Sequence, residues 1–216
     1  MSETAVKQAY EHIRNAIFSR EFPPGFHLRE EEFSETLNMS RTPVRQAIRQ
    51  LATEGLVDIK ENRRSYVTDV ADEDIDLIFD LVAILESYSV RRAAERITSE
   101  QLEELKQIED DLEAADPEDD SSFLNANARF HNLLHDASGS RLLRKLVDLV
   151  ISYPMLFYLK AGVHTENETA AKEHREIIDA LINGTPDYAA LKMRIHTETV
   201  RNQYKNVQQI SQSDDR

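Results

Sequence analysis

The sequence predicts a mainly α-helical protein in which a small first part with two short strands precedes an all-α bundle of about six helices. Apolar residues recur at helical spacing over most of the chain. Five glycines and six prolines among 216 residues are few for a β-rich or disordered chain. The predicted boundaries are 1–71 for the first part, 72–210 for the bundle and 211–216 for a flexible tail.

The composition excludes several classes of protein. The chain has no cysteine, which rules out disulfides, zinc ribbons and thiol catalysis. No apolar run reaches the roughly 18 residues that cross a bilayer, and the first residues lack the pattern of a secretion signal. We therefore expect a cytoplasmic protein that does not bind membranes.

The net charge of −14 is unevenly distributed along the chain. Residues 1–70 carry 10 basic and 11 acidic side chains, whereas residues 71–216 carry 16 basic and 29 acidic ones. Binding to a phosphate backbone requires a local basic face and not a basic protein as a whole. The first part can therefore present such a face even though the complete chain is acidic.

The first part is predicted to contain three helices followed by a hairpin. Ser40 is a candidate N-cap for the third helix, and Gly55 can take the positive φ that ends it. The hairpin turn carries Arg63 and Arg64. This order of elements is typical of a winged helix-turn-helix. The expected helices are 4–19, 30–37 and 41–54, and the expected strands are 56–59 and 66–70.

The third helix has one apolar face and one face of arginines. Residues four apart lie on the same side of a helix, which places Arg41, Arg45 and Arg49 together. A guanidinium group can bind a phosphate, or the O6/N7 edge of guanine, through two hydrogen bonds. The pattern predicts a recognition helix that lies in the DNA major groove. A solvated helix face is the alternative, and the adjoining turn and hairpin disfavour it. The opposite, apolar face consists of Val44, Ile48 and Leu51.

The second part is predicted to be entirely helical. Breaks occur where proline, glycine and serine cluster, and Pro154 is expected to kink the segment that contains it. The expected helices are 73–95, 99–115, 121–137, 140–160, 166–183 and 187–209.

Four side chains in the second part form a candidate metal site. Asn127 and His131 are four residues apart on one predicted helix, and His174 and His196 lie on two later helices. Their convergence would bind a divalent ion without cysteine, and imidazole suits zinc or nickel. On spacing alone, histidines without a metal are the favoured interpretation. His135 is an alternative ligand, although we expect it at the surface.

These residues resemble a known family. The chain is similar to GntR-family bacterial transcription regulators of the FadR subfamily, with a helical FCD domain of the shorter, VanR-like form. The resemblance is most specific in the Ser-Arg-Thr-Pro-Val-Arg block that begins at Ser40. Further matches in both parts are Glu54–Val57, Asn62–Arg63, Leu85–Glu86, Phe130–His131, Glu173–Arg175 and His196.

The resemblance implies a repressor, or alternatively an activator, that binds a palindromic double-stranded DNA operator as a homodimer. It also implies a small-molecule effector, an organic acid, bound at or near a divalent metal. The family usually has an acid where this chain has Asn127, and many members have an arginine where it has Val82. The implied DNA-binding residues are Arg29, Ser40, Arg41, Thr42, Arg45, Arg49, Arg63 and Arg64.

Two other functions remain as alternatives. In the first, the metal itself is the signal and no organic effector binds. In the second, the protein is a metal-dependent hydrolase with a DNA-binding appendage, because an open metal position can activate water. Glu173 is the only acid close to a proposed ligand, and adjacent helical residues point about 100° apart. We therefore expect no catalytic residues and no enzyme.

Overall fold

A computed structural model describes residues 2–19, 21–69, 71–114, 120–151 and 167–214. Residues 2–69 are called the head, and residues 71–214 are called the helical part. In the head, α1 is Ser2–Phe18, β1 is His27–Leu28, α2 is Glu30–Thr36, α3 is Arg41–Thr53, β2 is Val57–Ile59 and β3 is Ser65–Val67.

The sheet of the head has three antiparallel strands in the order β1-β3-β2. The predicted hairpin is present, with Val57 opposite Val67 and Ile59 opposite Ser65. The strand β1 was missed, because two residues are too few to show an alternating pattern. They form a strand only because His27 pairs with Tyr66. The sheet carries the hairpin turn as the wing of a winged helix-turn-helix.

The recognition helix α3 buries its apolar face completely, as its spacing predicts. Val44, Ile48 and Leu51 are all at most 1% exposed. Ser40 occupies the N-cap position with extended backbone, but its side chain makes no capping hydrogen bond, which corrects the prediction. The third helical residue is Pro43, so one of the two amides that an N-cap oxygen can bind is missing. Gly55 has a φ of 76° just after the helix.

The helical part begins with a 3₁₀ turn, Asp72–Asp74, and is otherwise built from α-helices. Thr98 and Gln101 start the second helix with a reciprocal capping box. The helices are α4 Ile75–Ala93, α5 Ser99–Glu113, α6 Asp120–Ala137, α7 Arg141–Asp148, α8 Asn167–Asn183 and α9 Pro186–Asp214.

Two predicted boundaries in the helical part need correction. The segment 140–160 was predicted as one helix, but α7 ends at Asp148 and turns through Ile151. The rest of that segment, including Pro154, lies outside the described residues. The tail was predicted to begin at residue 211, but α9 continues to Asp214. No glycine or proline follows Pro186 in the sequence to end the helix.

One buried apolar cluster connects the head to the helical part. It contains Ile13 and Ile17 of α1, Phe79 of α4, and Phe123 and Leu124 of α6. A second cluster fills the far end of the bundle and includes residues of α4, α5, α6, α8 and α9. Within the described residues, no helix is long and apolar enough to cross a membrane.

Replacing Phe79 by alanine is expected to destabilise the protein by about 3–5 kcal/mol, because a fully buried ring is lost and a cavity remains. Urea unfolding followed by circular dichroism measures the change at a fixed protein concentration. Leu142, which is 70% exposed on α7, provides the control, and its replacement by alanine should change stability by less than about 0.5 kcal/mol. Equal losses in the two variants would contradict the assignment of Phe79 to the core.

Candidate functional site

The solvent-facing side of α3 presents the three predicted arginines. Arg41, Arg45 and Arg49 are all exposed and lie on successive turns. Ser40 and Thr42 are also exposed at the beginning of the helix. The structure therefore places these predicted residues on one accessible surface, opposite the buried stripe.

The wing brings a further arginine to the same surface. Arg63 occupies the turn between β2 and β3 with a φ of 61°, and the amide of Arg64 donates to Asn62 Oδ1 at 3.0 Å. Arg45, Arg49 and Arg63 line one concave surface between α3 and the hairpin. Three guanidinium groups from two separate elements thus face a common space.

Two acids of α2 form ion pairs with two of the arginines of α3. Arg45 binds Glu30 through two nitrogens, with Nη2 at 2.6 Å and Nε at 2.8 Å. Arg41 Nη1 lies 2.9 Å from Glu31 Oε1. The hydrogen bonds from Arg45 lower the pKa of the Glu30 carboxyl below its usual value. Sequence analysis missed these pairs, because they depend on the angle between α2 and α3.

The third acid of α2 pairs with Arg29, a predicted DNA-contact residue that precedes α2. Arg29 Nη1 lies 3.0 Å from Glu32 Oε1, and both side chains are exposed. The acids at the start of α2 also lie at the positive end of the helix dipole. The N-terminal turn of α2 therefore carries three carboxylates, of which two pair with arginines of α3 and one pairs with Arg29.

The three predicted histidines meet inside the helical part. His131 of α6, His174 of α8 and His196 of α9 place one ring nitrogen each within 4.8 Å of the others. All three residues are buried, and the His174 ring stacks on Phe130 with centroids 3.9 Å apart. These three residues are called the imidazole cluster.

Each ring of the imidazole cluster is held through Nδ1 by a carboxylate from another position. The partners are Glu86 of α4 for His131 at 3.1 Å, Glu109 of α5 for His174 at 2.8 Å, and Glu173 of α8 for His196 at 2.8 Å. Such bonds fix the orientation of the rings and direct Nε2 towards the centre.

Burial controls the charges in the imidazole cluster. It lowers the pKa of His174 well below the ordinary value, and His196 and His131 lower it further. Burial also lowers the pKa of His196, although Glu173 opposes this effect. For the adjoining carboxyl of Glu109, burial raises the pKa to about 8. The rings of His174 and His196 are therefore neutral near pH 7, and metal binding at His174 would also release one proton from the His174–Glu109 pair.

The distance between two ring nitrogens fits a metal ion better than a hydrogen bond. His174 Nε2 lies 3.4 Å from His196 Nε2, which is longer than the usual range of about 2.7–3.2 Å for hydrogen bonds. Two nitrogen ligands at about 2.0–2.1 Å from a tetrahedral zinc ion lie about 3.3–3.4 Å apart. The donor set of the imidazole cluster thus suits a divalent ion.

The histidine one turn after His131 on α6 does not lie at the predicted position. His135 was expected at the surface, but its side chain is fully buried and its Nε2 lies 2.7 Å from Glu86 Oε1. Residues four apart share a helix face, so His135 follows His131 into the interior. Burial acts to raise the pKa of Glu86, but His135 and His131 hold that pKa below its ordinary value.

A cavity of about 540 Å³ adjoins the imidazole cluster and reaches the head. His131, His196 and Asn127 line its inner end. Its boundary also includes side chains of α1 and of the end of α3, among them Tyr10 and Glu54. Asn127 therefore faces the cavity beside the histidines, as predicted from its position on α6. The cavity lies between the two parts of the protein and is lined by both.

A basic helix-turn-helix surface joined to a helical bundle with a cavity defines a transcriptional regulator. Comparisons with known proteins agree with this class. The family model described as "Bacterial regulatory proteins, gntR family" matches residues 5–67, and the model described as "FCD domain" matches residues 74–199. The chain belongs to the GntR family of bacterial regulatory proteins and carries an FCD domain, as its sequence indicated.

Individual relatives have related descriptions. The chain is 30% identical over 178 residues to the uncharacterized HTH-type transcriptional regulator YdhC of Bacillus subtilis, covering 80% of this chain and 78% of the relative. It is 30% identical over 194 residues to a probable D-xylose utilization operon transcriptional repressor of Paenarthrobacter nicotinovorans, covering 89% and 85%. These names describe DNA-binding regulators and not enzymes.

A solved structure shows the same fold. A putative GntR transcriptional regulator from Rhodococcus sp. RHA1 superimposes with a TM-score of 0.73 at 23% identity, covering 94% of this chain and 98% of the other. The match extends over both the head and the helical part. Together with the two family models, it confirms the predicted winged helix-turn-helix followed by a helical FCD domain.

Replacing Glu30 by glutamine is expected to raise the affinity for mixed-sequence duplex DNA by about threefold, because a half-buried carboxylate no longer competes with phosphate for Arg45. Fluorescence anisotropy with a labelled duplex at low ionic strength measures the change. Glu35→Gln is the matched control, since Glu35 is exposed on the same helix. An equal increase in both variants would show that only net charge matters.

Proposed function

We propose that this transcriptional regulator is a cytoplasmic repressor that binds a palindromic operator as a homodimer and responds to a small organic acid. The observation that carries the proposal is the convergence of Arg45, Arg49 and Arg63 from recognition helix and wing on one concave surface. The cavity beside the imidazole cluster supports control by a ligand.

The proposed DNA contacts divide between base edges and phosphates. Arg45 and Arg49 lie where α3 would enter the major groove, and paired nitrogens of an arginine match the O6/N7 edge of guanine. Arg63 and Arg64 of the wing and Arg29 before α2 suit phosphates, which carry no sequence information. The remaining proposed contacts, at the beginning of α3, are Ser40, Arg41 and Thr42.

An exposed apolar stripe on α4 supports the homodimer. Leu77, Leu81, Ile84 and Tyr88 are between 39% and 62% exposed and recur at helical spacing. A continuous apolar stripe of this kind on a helix favours burial against another surface. A two-fold arrangement through such a face places two recognition helices opposite each other, as a palindromic operator requires.

The imidazole cluster is proposed to bind a divalent metal, zinc or nickel. The ligands would be His131, His174 and His196, with the side-chain oxygen of Asn127 as a fourth and weaker group. Bound there, the ion would supply a Lewis-acidic position for a carboxylate of the effector. The ring orientations set by Glu86, Glu109 and Glu173 are the support for this assignment.

The cavity favours regulation by an organic effector over regulation by the metal ion alone. A site that only binds an ion needs no adjoining space, whereas pockets for small ligands usually have volumes of about 300–1,000 Å³. The cavity of about 540 Å³ lies in this range and is bounded by both parts of the protein. A ligand in it would therefore contact the head as well as the helical part.

Replacing Arg45 by alanine is expected to weaken binding to selected operator duplexes by about 5- to 150-fold and to relax the preference for one base in each half-site. The probes are duplexes that the wild-type protein enriches from a randomised library, measured by gel shift at moderate ionic strength. Arg129→Ala, which removes an exposed arginine of α6, should leave binding unchanged. If the wild-type protein enriches no inverted repeat, the proposed function is wrong.

Replacing Glu173 by glutamine is expected to lower zinc affinity by about 10- to 100-fold, because the His196 ring loses the carboxylate that orients it. Competition with a chromophoric zinc chelator measures the affinity. The control is Glu176→Gln on the same helix, where the carboxylate pairs with Lys192 instead. Unchanged affinity in the Glu173 variant, or no zinc binding by the wild type, would contradict the metal site.

A further inference from the structure

Two arginines line the cavity, and they differ in their partners. Arg144 of α7 forms ion pairs with Asp136 at 3.0 Å and Asp148 at 2.7 Å. Arg14 of α1 instead donates from Nη1 to the amide oxygen of Asn125 at 2.6 Å, which is a neutral partner. Among the described residues, Arg14 forms no ion pair.

A second contact of Arg14 is also uncharged. Its guanidinium carbon lies 4.4 Å from the centre of the Phe18 ring, one turn further along α1. Tyr10, Arg14 and Phe18 follow each other at intervals of four, so they form one face of α1, and all three line the cavity. This face combines two aromatic rings with a single positive charge.

The acids that line the cavity are bonded elsewhere. Glu86 binds two histidines, and Asp148 binds an arginine of α7. Glu54 accepts a hydrogen bond from the Tyr10 hydroxyl at 2.8 Å. Within the described part of the chain, Glu54 forms no ion pair with Arg14. The positive charge of Arg14 is thus available to an anion that enters the cavity.

We propose that Arg14 is an effector-binding residue supplied by the DNA-binding head, and that it binds the second carboxylate of a small dicarboxylate whose first carboxylate lies at the imidazole cluster. The proposal rests on the proposed function, because it assumes that the cavity is the effector site. It goes beyond that function by assigning the chemical class of the ligand and a residue of the head.

The helix α6 sets a minimum length for such a ligand. Asn125, which binds Arg14, and His131 are six residues apart on α6, which corresponds to about 9 Å along the helix axis, and their side chains point about 120° apart. With contacts of about 2–3 Å at each end, the ligand is a dicarboxylate of at least about four carbons. Succinate is therefore a suitable probe, and butyrate is its matched monocarboxylate.

Binding of a ligand at Arg14 would affect the recognition helix through α1. Tyr10 lies one turn before Arg14, and its hydroxyl donates to Glu54, the C-cap residue of α3. A carboxylate forms a stronger hydrogen bond with a guanidinium group than the neutral amide of Asn125 does. The ligand would therefore compete for the bond between α1 and α6 and change how the head is held against the helical part.

Isothermal titration calorimetry on the zinc-loaded full-length protein tests the assignment. We expect succinate to bind about 10- to 150-fold more tightly than butyrate, because succinate makes one additional charge-assisted contact. The Arg14→Ala variant should lose this difference and bind both compounds like butyrate. Lys7→Ala removes an exposed cation of the same helix and should keep the preference for succinate.

A second variant separates anion binding from a structural role. Asn125→Ala removes the same bond between α1 and α6 but leaves the charge of Arg14 in place, so it should bind succinate at least as tightly as the wild type. If Asn125→Ala loses the preference for succinate as Arg14→Ala does, the effect is structural and the proposal is overturned. A wild type that does not distinguish succinate from butyrate also overturns it.

The coupling to DNA is measured by anisotropy with duplexes that the wild type enriches from a randomised library. Succinate should change the duplex affinity of the wild type and of Lys7→Ala, but not that of Arg14→Ala. Failure of the proposed function can be distinguished from failure of the Arg14 proposal. In the first case the wild type takes up no zinc or enriches no duplex. In the absence of zinc uptake, the same succinate and butyrate titrations on the metal-free protein decide the role of Arg14.

Discussion

The buried apolar cluster that runs from α1 into α4 and α6 fixes the position of both candidate sites. Ile13 and Ile17 of the head share this cluster with Phe79 and Phe123 of the helical part. Because protein interiors are densely packed, a displacement on one side of such a cluster is transmitted to the other. The cavity lies against the same helices, so a ligand bound there would act on the recognition helix through this packing.

At the far side of the cavity, buried ionisable groups restrict the positions of the histidine rings. Glu109 and His174 are both fully buried, and a buried carboxyl is tolerated only with a hydrogen-bond partner. Their pairing, followed by His196 and then Glu173, forms a continuous chain of contacts through three helices. This chain holds the ring nitrogens in place before any ligand arrives, which reduces the reorganisation that binding requires.

The sequence predicted what depends on local spacing, and it missed what depends on how helices dock. The apolar stripe of α3 and the shared face of Asn127 and His131 follow from the helical period, and the structure agrees with both. Glu109 lies on another helix at a distant position in the chain, so no local pattern identifies it, and Glu86 was singled out only through the match of Leu85–Glu86 to the family. For the same reason His135 was placed at the surface, although Glu86 of α4 provides it with a buried partner.

The row of acids at the start of α2 explains how a basic surface can coexist with an acidic chain. Glu30 and Glu31 pair with Arg45 and Arg41, and in the proposed DNA complex a phosphate or a base edge would have to displace them. Random DNA offers only phosphates to compensate for this exchange, whereas a matching guanine offers two hydrogen bonds in fixed geometry. In the proposed complex these carboxylates add the same cost to specific and non-specific binding, and only a matching guanine offers the paired hydrogen bonds that would offset it.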